Sequence, residues 1–378
     1  MARGAGNNGS ACHKVGILTS GGDAPGMNAA VRAAAKILIT EGVDVVAIRH
    51  GYRGLLTGEF RPLGAADVND IIRDGGTVLG SARCLDFLER AGRDEARRQA
   101  QRAGIDGILA IGGNGSLAGA AALSSPEELG DQDLKVVGLP ASIDNDIGLT
   151  GMAIGADTAM NTIVEACDKI SDTASAHDRI FLVEVMGRDC GYLAMTSSIA
   201  AAADAVLFPE LDRSEAELVQ VVVRTVQRAR KRPQYGKRVL IIVAEGMELS
   251  TQTLKERLEL ALNDSSADHD VLVETRVTVL GHVVRGGRPT AFDRLLGSRL
   301  AHVGVRALLA GESRKMIGWI LPAPLPAEVS HPSEFDPYCN VIDLDAVLAE
   351  TSRMNDGTSP LVQWRRRVFE QVEEVLSL

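Results

Sequence analysis

At 378 residues the chain is long enough for two domains of ordinary size, and 45% hydrophobic with 24% charged residues is the composition of a globular protein with a large core. Fifty acidic against forty basic side chains give a net charge of −10, and the basic runs are short (Arg228-Ala229-Arg230-Lys231-Arg232 is one), so no nucleic-acid partner is expected. No run of 18 apolar residues offers a membrane-spanning helix, and five scattered cysteines without C-x-x-C spacing argue against a metal cluster or a disulfide framework, so reduced thiols and a cytoplasmic location are expected.

Residues 1–13 are rich in Gly, Asn and Ser and lack the apolar core of a signal peptide; a flexible tail is expected there. Apolar runs of β type follow at 15–20 (VGILTS), 43–48 (VDVVAI), 107–111 (GILAI) and 135–140 (KVVGLP), each ending in a Gly, Pro or Ser turn and most leading into an alanine-rich periodic stretch. A second series lies at 179–186 (RIFLVEVM), 205–209 (AVLFP), 237–245 (KRVLIIVAE) and 275–281 (TRVTVLG). Strand, turn, helix, strand is the pattern of parallel α/β sheets, whose ligands gather at the carboxyl edge of the strands. Two α/β domains are predicted, changing over near 147–157. Surface loops are predicted at 123–133, 231–236 and 263–270 from their Pro, Ser, Asp and Gly content. From about Asp343 the chain reads as helical, with Leu361, Trp364, Val368, Val372 and Val375 at roughly helical spacing.

Three turns carry chemistry. TSGGDAPGMNAAVRAAAK follows the first strand; Gly21, Gly22 and Gly26 surround Asp23, and Asn28 opens a helix. Such a turn lets backbone N–H groups approach a phosphate, although taken alone it reads more often as a tight connection. GGNGS (112–116) repeats the layout, so two such loops in one sheet can hold different parts of one polyphosphate. LPASIDNDI (139–147) places Asp144 and Asp146 two residues apart beyond a strand, where a general base with an electrostatic partner competes with an ordinary Asp/Asn turn.

Together, TSGGDAPGMNAAVRAA, GGTVLGSAR (75–83), GGNGS, IDND, VEVMGRDCGYLA (183–194) and TVLGHVVRGG (278–287) resemble the ATP-dependent 6-phosphofructokinases of the phosphofructokinase A family, in order from about Lys14 to about Gly311. The resemblance implies phosphorylation of fructose 6-phosphate at its 1-hydroxyl by ATP with Mg²⁺. It implies two Rossmann-like three-layer α/β/α domains with largely parallel sheets and an active site in the cleft between them. The larger, nucleotide-binding domain is expected at 14–150 plus about 284–335, and the smaller, sugar-phosphate-binding domain at 151–283 plus about 336–378. Asp144 is implied as the base and Ser142 as a group positioning the γ-phosphate, with Arg188 and Arg83 stabilising the transferring phosphoryl group. Gly21, Gly22, Arg83, Cys84, Gly113, Asn114, Gly115 and Ser116 are implied at the nucleotide. Arg179, Arg276, His282 and Arg285 are implied at the sugar's 6-phosphate, and Asp146, Met186, Gly187 and Glu245 elsewhere on the substrate. Arg179 and Arg276 are expected from a neighbouring subunit, hence a homo-oligomer, a tetramer, with shared active sites.

The sequence departs from the family pattern at several positions. Asn114 replaces an Asp that assists Mg²⁺, which implies a metal held mainly by phosphate and water and leaves a weakly catalytic regulatory paralogue as one alternative. Pyrophosphate-dependent relatives, the other alternative, carry a carboxylate at the position of Gly115 and a Lys at that of Ala141, so ATP is favoured here. Ser142 stands for Thr, while Cys84 and Leu88 replace residues near the base. At the family's effector site Arg32, Lys36, Lys237 and Arg238 keep basic character, but Glu59 and Ser171 stand where cations are expected, which makes the usual ADP activation doubtful.

Overall fold

The computed structural model of the chain describes residues 12–130, 132–177, 179–231, 238–265, 274–319 and 330–376. Most of the predicted tail lies outside them, as do 232–236 of the second predicted loop and 266–270 of the third. In chain order the strands are β1 (Lys14–Ser20), β2 (Asp44–Ile48), β3 (Phe60–Pro62), β4 (Gly107–Gly112), β5 (Lys135–Pro140), β6 (Ile180–Val185), β7 (Ala205–Leu207), β8 (Val239–Ala244), β9 (Thr275–Val279), β10 (Lys315–Trp319), β11 (Ser330–Pro332) and β12 (Cys339–Asp343). All eight runs predicted as strands are strands. Four further strands, β3 and β10 to β12, fall outside those runs.

The chain divides into two compact units. The larger comprises 1–142, 147–155 and 288–351, and the smaller 143–146, 156–287 and 352–378. The larger carries an eight-stranded sheet in the order β11-β12-β10-β5-β4-β1-β2-β3, parallel except where β3, β11 and β12 pair antiparallel. The sequence reading assigns residues from about 336 onward to the smaller domain. Instead β12 adds a strand beside β10, and this keeps the chain in the larger unit up to Thr351.

The central strands are apolar on both faces, as a sheet covered by helices on each side requires. Ile108 and Ala110 of β4 join a core with Leu55, Ala96, Leu117 and Leu344 from helices on one face. Leu109, pointing the other way, lies under Gly304 of the helix Ala291–Leu309, where a Cβ would approach Leu139, Leu109 and Ile317 to 3.0–3.5 Å. The smaller unit has an all-parallel sheet, β7-β8-β6-β9, whose core joins Leu182, Ile241 and Val243 to Leu218, Val222, Leu254 and Leu258 of two amphipathic helices.

One local expectation changes. The predicted loop 123–133 contains a short helix, Pro126–Leu129, because Glu128 is drawn into ion pairs with Arg93 and Arg97 at 2.7 and 2.6 Å. The C-terminal stretch is helical as read, in Leu344–Asn355 and Pro360–Leu376; in the last helix Val362 and Phe369 are buried while Trp364 is 54% exposed.

Candidate active site

Ser20, Gly112 and Pro140 are register partners at the carboxyl ends of the neighbouring strands β1, β4 and β5. The turns Gly21-Gly22, Gly113–Ser116 and Ala141-Ser142 therefore leave the larger sheet side by side. The chain runs from β1 to β2 on one side and returns to β4 on the other, so the first two turns flank the topological switch point where α/β sheets bind ligands.

Close backbone approach explains the glycines. Gly21 has φ +81°, and a Cβ on Gly112 would overlap Ser116 Oγ and the Ser20 carbonyl oxygen. Gly113 caps the helix Asn114–Leu123. Gly115 instead faces open space, with no atom within 4 Å of the point a Cβ would occupy.

A cavity of about 590 Å³ opens beside these turns. Gly21, Gly22, Arg83, Cys84 and the stretch Gly113–Ser116 line it, so every residue implied at the nucleotide borders one space. Its far wall is apolar. Tyr52 stacks on Phe87 with ring centroids 4.2 Å apart, and the Tyr52 hydroxyl donates to the Ser116 carbonyl at 2.6 Å. Arg93, not singled out from sequence, donates to the Phe87 and Leu88 carbonyls at 3.2 and 2.5 Å and ties that rim to Glu128. The arginines beside Glu128 hold its carboxyl down at about 2, Arg93 first.

Ser142 is fixed by a bridge that sequence reasoning also missed. Its N–H donates to Ile154 O at 3.1 Å, Ile154 N–H to Pro140 O at 3.0 Å, and Gly155 N–H to the fully buried Asp293 carboxylate at 2.8 Å.

In the smaller unit the same edge logic gathers a second set. Met186, Gly187 and Arg188 follow β6, Glu245 follows β8, and His282 and Arg285 lie on the 3₁₀ turn Gly281–Arg285 after β9. Glu245 N–H donates to Val185 O at 2.9 Å. Gly246 lets the two loops meet, since a Cβ there would overlap the Arg188 carbonyl oxygen.

Asp144 belongs to this unit and is largely buried. Burial, with the Asp146, Glu245 and Asp189 carboxylates adding to it and Arg285 opposing, pushes its carboxyl up to about 6. Its Oδ1 has no hydrogen-bond partner among the described residues. A carboxylate with a free oxygen and a pKa brought toward neutrality can accept a proton from an incoming hydroxyl.

Arg179 and Arg276 are not brought to this edge. Arg179 precedes β6 and Arg276 is the second residue of β9, so both lie at the amino edge of the sheet, where they share Glu274. A six-residue strand spans roughly 17–20 Å, which separates them from His282 and Arg285 within one chain.

No group of three or more His, Cys, Asp or Glu side chains suited to a metal occurs among the described residues. The donor chemistry at the cavity is one amide oxygen, that of Asn114, beside hydroxyls and backbone N–H groups. This fits Mg²⁺ only as the ion is usually held with phosphates, by few protein ligands and with several waters retained.

Of the residues implied at the effector site, Arg32 donates to Asn69 O at 3.3 Å, Arg238 lies 3.7 Å from Asp204, and Glu59 pairs with His50 at 2.7 Å; Lys237 lies outside the described residues.

A family model described as Phosphofructokinase matches residues 14–308. The chain is 45% identical over 305 residues to the ATP-dependent 6-phosphofructokinase of Natranaerobius thermophilus, covering 81% of this chain and 89% of that protein. It is 44% identical over 304 residues to the enzyme of the same name from Thermotoga neapolitana, covering 80% and 89%. Among solved structures, phosphofructokinase from Pichia pastoris in the T-state superposes with a TM-score of 0.80 at 31% identity, over 100% of this chain and 41% of that longer one.

Proposed function

Because this chain belongs to the phosphofructokinase family, we propose that it transfers the γ-phosphoryl group of ATP to the 1-hydroxyl of fructose 6-phosphate, giving fructose 1,6-bisphosphate. The observation that carries the reading is Asp144, a largely buried carboxylate with one open oxygen, next to cationic and polar groups at the same sheet edge.

The roles follow from what phosphoryl transfer needs, which is positioning and spread positive charge rather than covalent chemistry. Asp144 takes the proton of the attacking hydroxyl at its open oxygen. Arg285 and His282 hold the 6-phosphate, and Glu245, Met186, Gly187 and Asp146 orient the sugar. The Gly21-Gly22 and Gly113–Ser116 turns cradle the nucleotide phosphates, Ser142 positions the γ-phosphate, and Arg83 and Arg188 stabilise charge on the transferring group. Mg²⁺, when bound through Asn114, phosphate and water, supplies neutralisation of phosphate charge. Among the described residues no two cysteines form a disulfide, which suits a reducing cytoplasm.

ATP is favoured over pyrophosphate by the open space at Gly115, which leaves room for the rest of a nucleotide where an acidic side chain would repel its α-phosphate. Initial rates with fructose 6-phosphate and either donor test this. Turnover with ATP and none with pyrophosphate is expected, and the reverse preference overturns it.

Asn114 gives a second test. Asn114→Asp adds an anionic oxygen ligand at nearly constant size. The Mg²⁺ concentration for half-maximal rate should fall, while chelator-treated protein should bind ATP more weakly because the new charge faces bare phosphates. Unchanged values in both measurements would remove residue 114 from the metal.

A further inference from the structure

The last helix of the chain reaches the catalytic loops through one face. Arg365, Phe369 and Glu373 recur at intervals of four residues, so they lie one above another on the helix Pro360–Leu376. Glu373 pairs with the two terminal guanidinium nitrogens of Arg213 at 2.7 and 2.6 Å, and Phe369, 1% exposed, meets Phe208 edge-on at 4.9 Å. These two contacts anchor the helix. The third is different in kind: the Arg365 guanidinium lies 4.8 Å from the centre of the Tyr192 ring and 4.0 Å from Cys190 Sγ. Cys190 and Tyr192 close the loop that carries Met186, Gly187 and Arg188.

Tyr192 leads back to the base. It is the first residue of the helix Tyr192–Ala200, whose cap Gly191 donates its N–H to Glu210 at 2.7 Å. Its side chain hydrogen-bonds the side chain of Asn145. Asn145 is 2% exposed and has φ +49°, a left-handed conformation that Asn tolerates better than most non-glycine residues, and it stands between the carboxylates Asp144 and Asp146. A residue held there by its own side chain sets the direction of the Asp144 backbone.

We propose that Arg365 is a positioning residue for the reaction: from the C-terminal helix it holds the Tyr192 ring, and Tyr192 holds Asn145, so that Asp144 keeps its reactive placement. This rests on Asp144 being the base. An aliphatic residue at 365 would fill space against the ring, whereas a guanidinium adds attraction to its face and fixes the ring's tilt.

The experiment compares purified full-length Tyr192→Phe, Arg365→Ala, Arg365→Lys, the Tyr192→Phe/Arg365→Ala double variant and Asp144→Asn, with folding checked by urea denaturation. Tyr192→Phe removes one hydroxyl and keeps the ring. It is expected to lower kcat about ten-fold, the effect of one lost hydrogen bond, with KM for ATP unchanged. Arg365→Ala should match it, the double variant should be no worse than either single one, and Arg365→Lys should recover part of the loss. Wild-type kcat in folded Tyr192→Phe overturns the proposal, as does a double variant in which the two losses multiply. If Arg365→Ala fails to fold, Tyr192→Phe decides. An inactive Asp144→Asn beside fully active Tyr192→Phe and Arg365→Ala defeats the positioning role alone. A fully active Asp144→Asn defeats the base assignment beneath it.

Discussion

Asp144→Asn is expected to lower kcat by roughly 10²–10⁴-fold, the usual cost of deleting a general base, while fructose 6-phosphate still binds. The amide keeps the size of the carboxylate but cannot take the proton. The pH profile supplies a second, independent readout. With its carboxyl pushed up to about 6, chiefly by burial and next by Asp146, Asp144 is protonated and idle below that pH and ionised and able to accept a proton above it. Wild-type kcat/KM should therefore rise through about pH 6 and level off on the alkaline side, and the residual rate of Asp144→Asn should lack that limb. Asp146→Asn removes a neighbouring negative charge, so it should move the limb to lower pH. Steady-state rates between pH 5 and 8, together with isothermal binding of the sugar phosphate, make the comparison. Near wild-type turnover in the Asn variant would take Asp144 out of this role.

How far the sequence could be read follows from the range of the signals involved. The eight predicted strands were legible because each lies in a run of β-branched and aliphatic residues closed by a turn, as in GILAI and VLIIVA. β3 and β11 have three residues each and carry no such run. β12 was hidden because CNVID breaks its alternation at the adjacent Val341 and Ile342 and runs straight into a helix, and only its pairing with β10 declares it a strand. The turns after β1 and β4 were legible from their glycines. The contacts that fix Ser142 and the loop after β6 were not: Asp293 reaches Gly155 across 138 residues, and Arg365 reaches Cys190 across 175. No local pattern records a contact of that span. The C-terminal helices were legible from their spacing, but helical spacing does not say which of two partly apolar faces has a partner, and here Phe369 is buried while Trp364 is exposed.

Arg276→Ala is expected to raise KM for fructose 6-phosphate by about 10- to 100-fold, as loss of a charged hydrogen bond to phosphate does, with KM for ATP little changed. The position of Arg276 makes this informative. At the amino edge of β9 it is separated from His282 and Arg285 by the length of the strand, so its own chain gives it no direct path to the phosphate proposed to lie there. A direct contact with the sugar phosphate therefore requires Arg276 to act in another subunit's site. Its partner Glu274 is 41% exposed, and an ion pair so open to water is worth little, so exchanging it for a phosphate dianion costs little. Mixed oligomers separate the two geometries. If sites are shared, pairing an Arg276→Ala subunit with an Asp144→Asn subunit places both lesions in one site and neither in the other, and activity should return. If each chain completes its own site, every site in the mixture keeps one lesion and activity stays at the level of the single variants. Verified mixed oligomers that recover no activity would confine Arg276 to its own chain and leave its effect on KM to an indirect path through Glu274 and Arg179.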